Sequence, residues 1–368
     1  MRVWDGVSGA AIHFDSFGTG IAERGEEDGD VVAYMNENVN LTSALLRRID
    51  ELGGVSIFDS QKVEDITFGA EDAEVGDLSQ WPIVRLGDGR ELAARLLVGA
   101  DGGNSPVRQF AGIESRGWDY GRVGVVATLR MESSIPDTTA ITAYQRFLPT
   151  GPVAMLPLPG NFSTLVWSTT PELAAKLKGL KEKDFVSMVN AAFRLGTVDL
   201  QYLHTLENGQ EEEVAWREQH TSFSPDNIPR KVLGVQENSI ASFPLKMRHA
   251  DTYIGERIAL VGDAAHTVHP LAGQGLNQGQ GDVESLSRTI AYGVQHGMDI
   301  GVRMSLEAYE AERYVKNHVL MGVVDKLHKL YAVESGPVVW GRSLGLRAVD
   351  ALAPVKGFFM RQAAGRGL

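Results

Sequence analysis

The sequence predicts an α/β (α+β) fold with more than one domain, and three observations carry that prediction. Two short apolar stretches, Arg95 to Ala100 and Arg257 to Val261, each run into a turn of glycine and aspartate and then into a helical pattern. Between them, apolar and aromatic runs broken by proline and glycine over residues 123–169 read as an antiparallel sheet. Beyond them, periodic apolar residues over 282–334 predict long helices. With 368 residues, 43% of them apolar, the chain can bury a core of one large or two ordinary domains.

The elements follow in order. Residues 1–34 alternate loosely, with Ile12, Phe14, Val31 and Val32 flanking an acidic loop of Glu23, Glu26, Glu27 and Asp28, which predicts strands joined by an exposed turn. From Asn40, Leu41, Ala44, Leu45, Ile49 and Leu52 recur at helical spacing, and Gly53-Gly54 stops the helix. Strands are predicted at 55–59 and 62–68. A hairpin is predicted where Ile83 to Leu86 and Glu91 to Ala94 flank Gly87-Asp88-Gly89. Thr170-Pro171-Glu172 supplies an N-cap and a first-turn proline for two helices over 171–195. The polar, acidic stretch 205–240 reads as an exposed insertion. Segment 336–368 holds Arg342, Arg347, Lys356, Arg361 and Arg366 against Asp350, a local net charge of +4 in a chain of net charge −12.

Composition excludes several functions. The acidic balance argues against a phosphate-tracking surface, so nucleic acid is not expected as a partner. The sequence has no cysteine, which removes disulfides, thiolate metal sites and redox Cys pairs. No apolar run approaches the roughly 18 residues of a membrane span. The start, Met1-Arg2-Val3-Trp4-Asp5, has the character of neither a signal nor a transit peptide.

Two motifs carry chemistry. The longer is Gly262-Asp263-Ala264-Ala265-His266 followed by Pro270-Leu271-Ala272-Gly273-Gln274-Gly275-Leu276-Asn277, set between a strand and a helix. Glycine lets backbone approach a planar ring or phosphate. A helix N-terminus offers free N–H groups, and Asp263 can accept from hydroxyls. A plainer reading makes Asp263 a helix cap. His266 and His269 suggest a metal, but the remaining ligands are missing, so none is expected. The second motif is Gly99-Ala100-Asp101-Gly102-Gly103-Asn104-Ser105-Pro106-Val107-Arg108, in which Ser105 and Pro106 start a helix bearing Arg108. Taken alone it could be an ordinary strand-turn-helix junction.

Together and in this order, the motifs resemble those of the flavin-dependent aromatic hydroxylases. Tyr144-Gln145-Arg146-Phe147-Leu148-Pro149-Thr150-Gly151-Pro152, Leu156-Pro157-Leu158, Leu165-Val166-Trp167-Ser168-Thr169 and Phe185 to Phe193 are similar to the eukaryotic mitochondrial ubiquinone-biosynthesis monooxygenase family. That resemblance implies FAD as cofactor, with Asp101, Gly102, Arg108, Gly262, Asp263, Ala264, Pro270, Gly273, Gln274, Gly275, Leu276 and Asn277 binding it. It implies no catalytic side chain, because the flavin carries the oxygen chemistry and the protein positions the ring and excludes water. Gln145, Phe147, Leu156 and Trp167 are candidate substrate walls, against the alternative of ordinary sheet packing.

The resemblance further implies hydroxylation of 4-hydroxy-3-polyprenylbenzoate at C5 and of a later intermediate at C1. Implied partners are a ubiquinone-biosynthesis complex, a ferredoxin with its reductase or else NADPH, and the matrix side of the mitochondrial inner membrane. The basic tail with Val338, Val339, Trp340, Leu344, Leu346, Phe358 and Phe359 could lie on lipid, on a partner or on its own domain. Two other readings stay open: a hydroxylase or epoxidase of another apolar substrate, and a non-catalytic member of a complex.

The family begins with a strand, Gly-x-Gly-x-x-Gly and a helix that take the FAD pyrophosphate. Gly6, Gly9, Gly18 and Gly20 do not have that spacing. The expectation is therefore an aromatic-hydroxylase-type FAD-binding fold without its first βαβ unit, with apolar edges left exposed. Its expected parts are substrate-domain strands over 1–34 and a FAD-domain portion over 35–118. A substrate sheet domain over 119–256, a FAD-domain return over 257–295 and C-terminal helices over 296–368 complete it.

Overall fold

The computed structural model describes residues 1–14, 33–72, 76–133, 142–223, 227–268, 273–352 and 354–357. The acidic loop at 23–28, Val31, Val32, Gly18, Gly20, Pro270, His269, Phe358 and Phe359 lie outside them. The chain divides into two units, each assembled from separate stretches: residues 1–48, 121–245 and 326–367, and residues 49–120 and 246–325.

In the first unit the sheet runs in the order Ala11–His13, Arg2–Asp5, Tyr144–Leu148, Gly151–Leu158, Phe162–Thr169 and then the C-terminal half of Ser115–Met131, which also pairs with Val232–Val235. All neighbours are antiparallel except Arg2–Asp5 with Tyr144–Leu148. Alternation sends Val125, Ala127, Leu129, Val153, Met155, Leu165 and Trp167 into one core with the helices Pro171–Gly179, Glu182–Arg194 and Thr197–Thr205. Thr170 caps the first of these helices through the Leu173 amide, as the Thr-Pro pair predicts.

The stretch 205–240 is not the exposed insertion that its polarity suggests. Residues Gln210–His220 form a helix whose Val214 is buried in the same core, and Val232 is buried in the sheet. A single buried apolar side chain is enough to dock a helix whose other faces are charged. The C-terminal helix Pro337–Ala351 is also docked: Arg342 and Leu346 are buried, and Arg342 pairs with Asp5 at 3.0 Å in the first strand.

In the second unit a three-stranded sheet runs Ile254–Gly255, Ile258–Leu260, Leu97–Gly99, the last two parallel. A separate sheet holds the predicted hairpin, Pro82–Leu86 with Glu91–Ala93, and Val63–Phe68. No strand forms at 55–59. Tyr253, Ile258, Leu260, Leu286, Leu306 and Tyr309 centre a second core.

Leu97–Gly99 is an edge strand with Val98 39% exposed. The helix Asn38–Leu52 has no buried residue, and Val39, Leu45 and Leu52 are exposed. No described helix is long and apolar enough to cross a membrane.

Candidate functional site

The parallel pairing of Leu97–Gly99 with Ile258–Leu260, Gly99 opposite Leu260, brings both motifs to the same end of one sheet. In open α/β sheets that carboxyl end is where ligands bind. The two turns are built alike and finished differently.

In the first turn Gly102 takes a φ of +83°, a conformation that favours glycine. The Asp101 carboxylate accepts from the Val107 amide at 3.1 Å, and Ser105 Oγ accepts from the Arg108 amide at 2.9 Å. Ser105 is thus the N-cap and Pro106 the first helical residue. Arg108 is buried, and its guanidinium donates to Gly103 O and to Ala264 O, both at 2.7 Å. It therefore ties the first turn to the second. Arg108, a cofactor contact by the family resemblance, supports the two turns from beneath in the structure.

In the second turn Gly262 has a φ of +59° and lies against Gly279, where an added Cβ would meet Gly262 Cα at 3.4 Å. This close approach lets the helix Gly275–Gln295 press its backbone on the turn. Asp263 is exposed and has no hydrogen-bond or ion-pair partner among the described residues. The turn is held from below by Asp282, which is fully buried. Its Oδ2 accepts from Gly262 N at 3.0 Å and from His266 Nε2 at 2.6 Å. Its Oδ1 accepts from Arg313 Nε at 2.8 Å and Asn317 Nδ2 at 2.9 Å.

Burial opposes the Asp282 charge, but the bonds from His266, Arg313 and Asn317 outweigh it and hold its pKa below the usual carboxylate value. Asn317 also donates to the Tyr253 hydroxyl at 3.4 Å, which meets His249 Nε2 at 3.0 Å. Burial, with His318 and His266 nearby, pushes the His249 pKa down to about 4. Tyr309 donates to Leu260 O at 2.5 Å, at the end of the strand itself.

The glycine-rich stretch opens a helix of 21 residues whose N-terminus has no side-chain cap. Gly273 is exposed at φ +60°, Gln274 and Gly275 are half-buried, Leu276 and Asn277 are exposed, and Ala264 is buried. Gln278 is buried, and neither end of its carboxamide has a partner among the described residues. Three features fit a flavin: a free carboxylate for polyol hydroxyls, uncapped helix N–H groups for an electron-rich ring edge, and an unsatisfied buried amide beside them.

The four residues proposed as substrate walls do not share a face. Register pairs Gln145 with Ala154, Leu156 with Thr164 and Val153 with Trp167. Gln145, Phe147 and Leu156 thus lie on one side of the first unit's sheet. Trp167 lies on the other, 1% exposed in the helical core. A tryptophan there is packing, which corrects its place among the substrate walls. Phe147 is stacked on Tyr331 with ring centroids 3.9 Å apart.

Sequence reasoning missed Asp282, Arg313, Asn317 and Tyr253. Two signals were available: Asp282 follows two glycine-lined helical turns on the same face as Gly275, and Arg313 and Asn317 are spaced i, i+4.

Fold and paired turns define a flavin-dependent monooxygenase. The model of the FAD binding domain family matches residues 30–321. Among solved structures, p-nitrophenol 4-monooxygenase PnpA from Pseudomonas putida superposes with TM-score 0.67 at 16% identity, over 100% of this chain and 81% of that one. The Diels-Alderase PyrE3 gives 0.58 at 20% identity, over 89% of this chain, which spans 59% of that one.

Sequence similarity is narrower. The mitochondrial ubiquinone biosynthesis monooxygenase COQ6 of Schizosaccharomyces pombe is 40% identical over 98% of this chain and 74% of its own length. Those of Saccharomyces cerevisiae and Homo sapiens are 41% and 37% identical, over 89% and 97% of this chain and 71% and 73% of theirs. The chain belongs to the COQ6 family of FAD-binding ubiquinone biosynthesis monooxygenases.

Proposed function

We propose that this protein uses FAD to hydroxylate the ring of 4-hydroxy-3-polyprenylbenzoate at C5, and of a later ubiquinone precursor at C1. The observation that carries the reading is the exposed Asp263 carboxylate, without a partner among the described residues, on a turn that ends a parallel strand beside a helix with no side-chain cap. The flavin, when bound, supplies the reactive oxygen. The chain's own share is binding and orientation: Asp263 accepts polyol hydroxyls, Gly273 to Asn277 present backbone to the ring edge, and Arg108 and Asp282 hold the turns still.

The substrate's apolar tail suits the half-buried sheet face of Leu156, Val126 and Val166, which also carries Thr128 and Thr164, with Arg130 at its exposed end. Electrons reach the site from a ferredoxin with its reductase or from NADPH. The protein works in the ubiquinone-biosynthesis complex on the matrix face of the mitochondrial inner membrane. Trp340 (71% exposed), Leu344 and Arg347 on helix Pro337–Ala351 support the membrane placement, while Arg342 and Leu346 are turned inward.

The test is reconstitution with FAD, followed by reaction with 4-hydroxy-3-polyprenylbenzoate, ferredoxin and its reductase, or NADPH. Visible flavin absorbance retained after gel filtration and a product heavier by one oxygen are expected. Flavin retention without any oxygenated product would favour a different apolar substrate. No retention at any FAD concentration would favour a non-catalytic member of the complex.

A further inference from the structure

We propose that Asp282, with Arg313 and Gly281, is the positioning device of the flavin site, holding the Gly262–Asp263 turn in the geometry that lets Asp263 reach a flavin hydroxyl. This rests on the flavin reading above and adds residues that never touch the flavin.

The Gly262 amide is where the carboxylate meets the turn. At φ +59° this residue turns its N–H away from any strand partner, and that N–H is taken up by Asp282 Oδ2 at 3.0 Å. A peptide N–H left without an acceptor there would favour a different turn, and Asp263 is the next residue. Asp282 is in turn fixed from three further directions by His266, Arg313 and Asn317. Four donors on two oxygens hold the carboxylate in this orientation. Arg313 supplies the compensating charge, and Gly281 makes its approach possible: a Cβ at Gly281 would lie 2.8–3.0 Å from three atoms of the guanidinium. Arg313 and Asn317 stand one turn apart on helix Arg303–Tyr331, so a single helix face carries both donors.

The network is a clamp and not a proton path. An ionised carboxylate only accepts, so His266 Nε2 is a donor, and the Asn317 amide donates both to Asp282 and to the Tyr253 hydroxyl. No hydrogen can pass an amide that donates in both directions. The network reaches the Asp263 turn through the Gly262 amide.

The experiment uses Asp282→Asn and Gly281→Ala in the full chain, with two readouts. Backbone amide exchange in the flavin-free protein is read at residues 262–265 and, as a control, at 97–99. Equilibrium titration gives the FAD dissociation constant. Both variants are expected to raise exchange at 262–265 at least tenfold, to leave 97–99 within twofold, and to weaken FAD at least fivefold. Gly281→Ala leaves the Asp282 carboxylate and its donors Gly262, His266 and Asn317 in place and displaces only Arg313, so agreement between the two variants does not depend on losing the carboxylate charge.

Exchange rising equally in both segments, or in neither, overturns the clamp. Exchange rising at 262–265 with FAD affinity unchanged overturns its positioning role. If the wild-type chain takes up no FAD, it is the proposed function that fails, and the exchange readout alone decides for or against the clamp.

Discussion

The turns after Gly99 and after Val261 each place an aspartate second and a glycine beside it, and they differ in where the aspartate goes. Both follow parallel neighbours, both contain a glycine at positive φ, and both lead into a helix. Asp101 accepts from an amide of its own turn, and that turn's helix sends Arg108 across to the Ala264 carbonyl. Asp263 accepts from nothing described, and its turn is held by Asp282 from a helix further along the chain. A turn that satisfies its own aspartate is scaffold. A turn stabilised from outside can leave its aspartate free for a ligand, which is why the second must be clamped and the first need not be.

The largest effect that would break this contrast is removal of the tie between the turns. Arg108→Met deletes two bonds from a buried charged donor, each worth about 1.5–3 kcal/mol, and strands two carbonyls, so a loss of about 4 kcal/mol in urea unfolding is expected. A loss below about 1 kcal/mol would mean that the turns stand independently.

Acid should separate the turns next. His249 is held neutral down to about pH 4, mainly by burial, whereas in the unfolded chain it protonates near 6.5. The stability gained by keeping it neutral is complete above about pH 6.5 and is lost as pH falls toward 4, about 3 kcal/mol at most. A proton on both ring nitrogens makes Nε2 a donor to Tyr253, so the hydroxyl hydrogen must turn away from His249, while the oxygen can still accept from Asn317. Asp282, with its lowered pKa, resists until lower pH: its contribution is present above the ordinary carboxylate pKa and is lost as pH falls through the folded value. Amide exchange at pH 5 against pH 7, corrected for intrinsic rates, should therefore rise at 262–265 before 99–103. His249→Gln should flatten the stability profile between pH 6.5 and 4; an unchanged profile would place the acid sensitivity elsewhere.

Both turns were legible in sequence because each is local: a short apolar strand, a glycine where φ is positive, and a helix that starts 4 residues after Gly102 or 13 after Gly262. What could not be read is everything set by packing between distant segments. Arg108 looks like a ligand contact until the Ala264 carbonyl arrives from 156 positions away. Asp282, Arg313 and Asn317 look like solvated helix residues until two helices bring them together. Trp167 failed for a related reason: which side of a sheet a residue faces depends on strand register, and a shift by one residue exchanges the faces. The helix at 210–220 was hidden by its acidity because a single buried valine docks it.

Asp263→Ala sharpens the contrast from the ligand side. An exposed carboxylate without a partner contributes little to folding, so unfolding free energy should stay within about 0.5 kcal/mol of wild type. FAD binding should weaken by about 2 kcal/mol, the worth of a hydrogen bond to a charged acceptor, or roughly thirtyfold. Asp101→Ala should show the reverse pattern, losing stability more than affinity. Equal effects of the two variants on flavin titration would erase the distinction between scaffold and ligand turn.

The smallest effect separates the local support of the first turn from the remote support of the second. Ser105 is fully buried and caps the helix Pro106–Phe110 through the Arg108 amide at 2.9 Å. Ser105→Ala removes that acceptor at a cost of about 1 kcal/mol, typical of an N-cap. The guanidinium of Arg108 is held by carbonyls and not by Ser105, so the tie to Ala264 survives the change. The first turn should loosen while the second keeps its amide protection and FAD affinity stays within about twofold. If FAD binding instead fell as far as in Asp263→Ala, the cap would be transmitting strain through Arg108, and the two turns would act as one unit.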